Sequence, residues 1–98
     1  MLIARVIGSA VSTIKADKLG GSKLLIVQEV TVENQLLDRD PFIAVDTVGA
    51  GRGELVFVAL GSGARFTCRT EEAPIDASIV AIVDSLEVDG KFVFKKEY

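Results

Sequence analysis

Phe42-Ile43-Ala44-Val45-Asp46-Thr47-Val48-Gly49-Ala50-Gly51-Arg52-Gly53-Glu54-Leu55-Val56-Phe57-Val58-Ala59-Leu60 decides the fold class. Two apolar runs rich in β-branched residues, 42–48 and 54–60, flank a segment with glycine at every second position. Runs this short, bounded by turn residues, read as strands. The glycine segment predicts a hairpin connection that uses positive φ. Its alternative use is a place where backbones of neighbouring subunits crowd together, because glycine permits an approach that any Cβ would block. A nucleotide loop is excluded. Glu54 stands where G-x-G-x-x-G needs its last glycine, no helix follows, and the Lys-Ser/Thr of a phosphate loop is missing.

The same pattern continues on both sides. Residues 2–14 predict a first strand, with Gly8, Ser9 and Ala10 marking a bend or close approach. Residues 13–22 form a loop around Gly20-Gly21. Residues 24–32 resume as a strand, broken only by Gln28 and Glu29, that reads as central rather than edge. Asn34, Asp38, Asp40 and Pro41 make 33–41 a surface loop. Gly61-Ser62-Gly63 closes the fourth strand, and 64–70 reads as either one helical turn or an irregular crossing that Pro74 keeps short. Residues 75–83 predict a fifth strand, and Val88-Asp89-Gly90-Lys91 a hairpin turn into Phe92-Val93-Phe94. Five principal strands and one short helical or irregular crossover predict an all-β protein, a small five-stranded OB-like closed barrel, since closure removes exposed edges. A sandwich is the alternative. At 98 residues, 1–98 is expected to be a single domain.

Composition narrows the function. Hydrophobic residues make up 49 % of the chain, so some apolar surface is expected to meet a partner. A net charge of −3 offers no basic footprint, which argues against nucleic acid and anionic membrane as partners. Phe42, Phe57, Phe66, Phe92, Phe94 and Tyr98 lie mostly in strand runs and read as core, not as a base-stacking platform. Arg52, Arg65 and Arg69 read as solvated or interface arginines. No histidine is present, and the carboxylates Asp38, Asp40, Asp46, Glu71, Glu72, Asp76 and Asp84 are scattered over several segments, so no catalytic residue, metal site or cofactor is expected. Cys68 is the only cysteine; it forms no intrachain disulfide, reads as a small buried thiol and suggests an intracellular protein. The apolar opening is interrupted by Arg5 and followed by no cleavage site, so it reads as a strand, and no run approaches the roughly 18 apolar residues of a membrane span.

Three ordered strings carry a resemblance. Thr13-Ile14-Lys15 to Leu19 and then Gly21-Ser22-Lys23-Leu24-Leu25-Ile26-Val27-Gln28 form the first. The second is Val45 to Val56 followed by Gly61-Ser62-Gly63-Ala64-Arg65. The third runs Ala73-Pro74-Ile75-Asp76-Ala77-Ser78-Ile79-Val80-Ala81-Ile82-Val83-Asp84. Together they resemble the bacterial microcompartment vertex family of EutN/CcmL type, the pentameric shell proteins of carboxysomes and of ethanolamine- and propanediol-utilisation compartments. Gly63 departs from the more frequent serine, and beyond Asp84 the resemblance is weak.

The resemblance implies a homopentamer of OB-like barrels that caps the vertices of a polyhedral shell in the cytoplasm, with hexameric shell proteins as neighbours. It puts Gly49, Ala50, Gly51, Arg52, Gly53 and Glu54 at or near subunit contacts and the central axis, with Ser62, Ala64 and Arg65 close by. Asp46 and Asp76 are expected as polar acceptors at strand ends, and Glu71, Glu72 and Lys95-Lys96 as exposed charges for the hexameric neighbours. Two other classes are weighed against it: an OB-type module binding nucleic acid, and an enzyme or small-ligand binder using the scattered carboxylates. The first conflicts with charge and aromatic placement, the second with the missing histidine and motif.

Overall fold

The computed structural model describes residues 1–11, 23–61 and 77–96. Seven strands are present: β1 (Leu2–Ala10), β2 (Lys23–Val30), β3 (Phe42–Asp46), β4 (Leu55–Leu60), β5 (Ala77–Ile82), β6 (Ser85–Val88) and β7 (Lys91–Lys95). The first five close into a barrel in the order β1-β2-β3-β5-β4, with β4 returning to β1. All pairings are antiparallel except β3 with β5, where Val45 faces Ser78 and Asp46 faces Ile79. Closure is helped by bulges at Val6/Gly8 against β2 and at Phe57/Val58 against β5, since an extra residue bends a strand and raises its twist. The OB-like five-stranded barrel expected from the sequence is the architecture observed.

Alternation sorts the side chains. Val6 opposite Val27 and Leu25 opposite Ala44 face inward, where they meet Ala4, Ala50, Val56, Val58, Ala77 and Ile79. Four alanines in this cluster suit a barrel whose interior is only wide enough for small and medium side chains. Full burial of each Val, Leu or Ile contributes about 1.5–3 kcal/mol. A second cluster lies on the outer wall: Val30, Leu55 and Val83 are covered by Leu86 and Phe94 of the β6–β7 hairpin. That hairpin turns at Asp89 and Gly90, both at positive φ, as the sequence predicts.

Several sequence expectations need correction. The glycine segment is no hairpin: β3 and β4 share no ladder, because β5 lies between them. The first strand ends at Ala10, leaving Val11 almost fully exposed, and residues 12–22 lie outside the description. The second strand stops at Val30 because Thr31 starts a turn, its hydroxyl accepting the Glu33 and Gln35 amides. Ser85–Val88 is a strand that sequence reading passed over, as its four residues alternate between exposed and half-buried. Phe42, Phe57 and Phe94 pack as core side chains, whereas Phe92 is 58 % exposed. Phe66, Cys68, Tyr98 and the expected crossing at 64–70 lie outside the described residues. No described helix is long and apolar enough to cross a membrane.

Candidate functional site

Residues 46–54 carry the chain from the end of β3, past β5, to the wall of β1. Each step is held by a specific bond. Asp46 is buried, 8 % exposed, at the last position of β3, and its Oδ1 accepts the backbone N–H groups of Val48 and Gly49, both at 3.0 Å. A short carboxylate satisfying amides two and three residues ahead ends the strand and starts a turn. Thr47 donates its hydroxyl to the Ile79 carbonyl on β5 at 2.7 Å, extending the β3–β5 contact by one residue. Gly49 then takes φ +80°, open only to glycine without strain.

Ala50 turns inward. It is 2 % exposed and belongs to the barrel core, so the segment is pinned by a hydrophobic plug at its middle. Gly51 donates its N–H to Glu54 Oε1 at 2.7 Å, and the Glu54 N–H donates to the Gly51 carbonyl at 3.1 Å, a reciprocal pair that closes a tight turn. Arg52 stands at the exposed apex of that turn. Gly53, at φ +88°, donates to the Val6 carbonyl at 2.8 Å, while the Val6 N–H donates to the Glu54 carbonyl at 2.9 Å. The chain thus enters the β1–β4 ladder before β4 begins.

Two cations complete the frame. Arg5, on β1, donates to the Gly53 carbonyl at 2.9 Å and also to Asn34 Oδ1 on the β2–β3 loop. Asn34 sits at φ +62°, so one guanidinium joins the glycine segment to a loop that is itself in a left-handed turn. Lys96, just after β7, donates to Glu54 Oε2 at 2.7 Å. Lys96 chiefly, and then the Gly51 N–H, hold the Glu54 carboxyl below the usual glutamate range, against the opposing effect of partial burial. Between the segment and the hairpin a cavity of about 210 Å³, lined by Leu55, Val83 and Phe94 among others, leaves the ion pair as the bridge across the opening.

Of the residues singled out in the sequence, Asp46, Gly49, Ala50, Gly51, Arg52, Gly53 and Glu54 are together in this one turn; Ser62, Ala64, Arg65 and Asp76 lie outside the described residues, as do Glu71 and Glu72. Lys96, expected as an exposed tail charge, is turned back onto Glu54 instead. Sequence reading missed Arg5 and Lys96 as supports. Arg5 carried a signal, being the one charge in an apolar strand; Lys96 carried none. Among the described residues no group of three or more metal-ligating side chains is found. What the turn presents chemically is a backbone fixed by hydrogen bonds and the exposed Arg52 guanidinium at its apex.

Comparison with known proteins gives a consistent result. The family model described as "Ethanolamine utilisation protein EutN/carboxysome" matches residues 1–84. The chain is 46 % identical over 87 residues to the bacterial microcompartment shell vertex protein GrpN of Rhodospirillum rubrum, covering 89 % of this chain and 97 % of that protein. The structure of CcmL from Nostoc sp. PCC 7120 superposes with a TM-score of 0.87 at 42 % identity, covering 98 % of this chain and all of the other. That of GrpN, a pentameric microcompartment shell protein from Rhodospirillum rubrum, superposes with a TM-score of 0.77 at 44 % identity, covering 90 % and 99 %.

Proposed function

The chain belongs to the EutN/carboxysome family of microcompartment vertex proteins, and from that membership we propose that five copies form a ring capping each vertex of a polyhedral bacterial microcompartment. The role is architectural. Sixfold tiles alone make a flat layer, and fivefold units supply the curvature that closes it. The observation that carries the reading is likeness along nearly the whole chain to vertex proteins, one of them pentameric. The protein resides in the shell, inside the bacterial cytoplasm, and acts as one domain over residues 1–98 without a catalytic site. Its other partners are hexameric shell proteins that border the vertex.

Within the ring, Gly49 to Glu54 lie at or near subunit contacts and the axis, with Ser62, Ala64 and Arg65 beside them. A rigid, exposed turn tied at both ends supports this, because a ring contact needs a surface ordered before association. Native mass spectrometry tests both levels. The assembly should weigh five times the 10.4 kDa protomer; a monomer at every concentration overturns the vertex reading. Among the described residues a Cβ at Gly51 meets only Glu54 Oε1, at 3.4 Å. Gly51→Val should therefore fold and yet lose the pentamer, and an intact pentamer refutes the role given to this turn.

A further inference from the structure

Among the exposed apolar residues outside the glycine turn, those of the β6–β7 hairpin tip and of one barrel mouth stand beside charged groups. Beyond the part of the hairpin anchored by Leu86 and Phe94, the tip carries Phe92, 58 % exposed, flanked by Lys91 and Lys95. The Lys95 ammonium lies 5.2 Å from the centre of the Phe92 ring, so the knob is an aromatic face topped by positive charge. At the barrel mouth a groove of about 530 Å³ has Leu2, Phe42, Ile43 and Leu60 among its apolar walls. Ile43 and Leu60 are 48 % and 42 % exposed. Its rim carries Glu29 paired with Arg39 at 3.0 Å, which leaves Asp40 as the one charge there without an ionic partner among the described residues.

Strand alternation sets the two features apart. Ile3 and Val30 face the hairpin on the outer wall, whereas their neighbours Leu2 and Glu29 face the mouth. Knob and groove therefore belong to different faces of one protomer. Different, complementary patches on one chain give head-to-tail contacts, the kind a cyclic ring requires. Resting on the pentamer reading, we propose that the Phe92 knob of each protomer seats in the Phe42/Ile43 groove of the next, with Lys91 and Lys95 against Asp40. The aromatic ring supplies the buried anchor and the charges fix its direction.

The test is the pentamer's dissociation midpoint on dilution, read by native mass spectrometry beside a circular dichroism check of fold. Phe92→Ser should raise the dissociation concentration at least tenfold while the strand spectrum stays unchanged. Lys91→Glu with Lys95→Glu should also raise it, and adding Asp40→Lys should restore much of the loss. A wild type that is monomeric overturns the vertex reading and this contact together. A pentameric wild type with Phe92→Ser equally tight overturns the contact alone. So does a Phe92→Ser ring that is intact but no longer joins sheets of hexameric shell protein, which would assign the knob to that neighbour.

Discussion

The Glu54 carboxylate joins the glycine turn to the C-terminal hairpin, and its removal has a calculable effect. Its two oxygens hold Gly51 N–H and Lys96 Nζ, each at 2.7 Å. The Lys96 and Glu54 side chains are 33 % and 24 % exposed, so the pair is worth about 1 kcal/mol, at the upper end for a solvent-facing ion pair. The Gly51 bond adds about 1 kcal/mol. Glu54→Gln keeps an oxygen for Gly51 and should cost about 1 kcal/mol, whereas Glu54→Ala should cost about 2 kcal/mol. In a domain of this size that corresponds to roughly 4–8 °C and twice that in Tm, measured at one fixed protomer concentration because assembly also stabilises. Acid adds a second readout. Lys96 and the Gly51 N–H hold the Glu54 pKa below the ordinary glutamate value in the folded state, so the stabilisation is complete above that ordinary value and is lost as pH falls through the folded pKa. Glu54→Gln should flatten this part of the acid limb. Glu54→Gln with wild-type Tm and an unchanged acid limb, or Glu54→Gln and Lys96→Met effects that simply add, would refute the clasp.

Other expectations follow from single positions. Gly53→Ala should lower stability by about 1–2 kcal/mol in urea titration, because φ +88° strains any Cβ although none of the described residues comes within 4 Å of it, while Gly51→Ala should stay within about 0.5 kcal/mol. Ser78 is fully buried at the β3–β5–β4 junction, and its Oγ has no hydrogen-bond partner among the described residues; Ser78→Ala should be neutral or stabilising in thermal melts, and a large loss would reveal a bond. Ile79→Ala, which empties the middle of the barrel, should cost about 2–5 kcal/mol in the same titrations.

Much of the barrel was legible because its strands are short, apolar and separated by turn formers whose backbone needs are local. Asp89-Gly90 and the loop around Asn34 are examples: their left-handed φ values follow from residue type. Topology was less accessible. The runs on either side of Gly49 to Gly53 look like hairpin partners, yet β5 separates them, and nothing near those glycines announces a strand from residues 77–82. The glycine segment was legible as a connection between two strands while its supports were not, since Arg5 and Lys96 act from positions 48 and 42 residues away in sequence. Ala50 shows the same limit, because a small residue between glycines gives no sign that it plugs a core.

The parallel pairing of Val45 with Ser78 also predicts an order of events during synthesis. β1, β2 and β3 pair as an antiparallel meander that needs no later strand, so it is expected to form first, with β4 able to join β1 next. β3 and β4 then each keep an open edge until β5 arrives to join both. Long-range closure of this kind is slow, and open edges invite pairing with other chains. A chain truncated before residue 77 should therefore aggregate rather than remain a soluble, smaller barrel. Five copies made at one site would each pass through that open stage, so the last barrel strand governs when a protomer becomes safe to meet its neighbours.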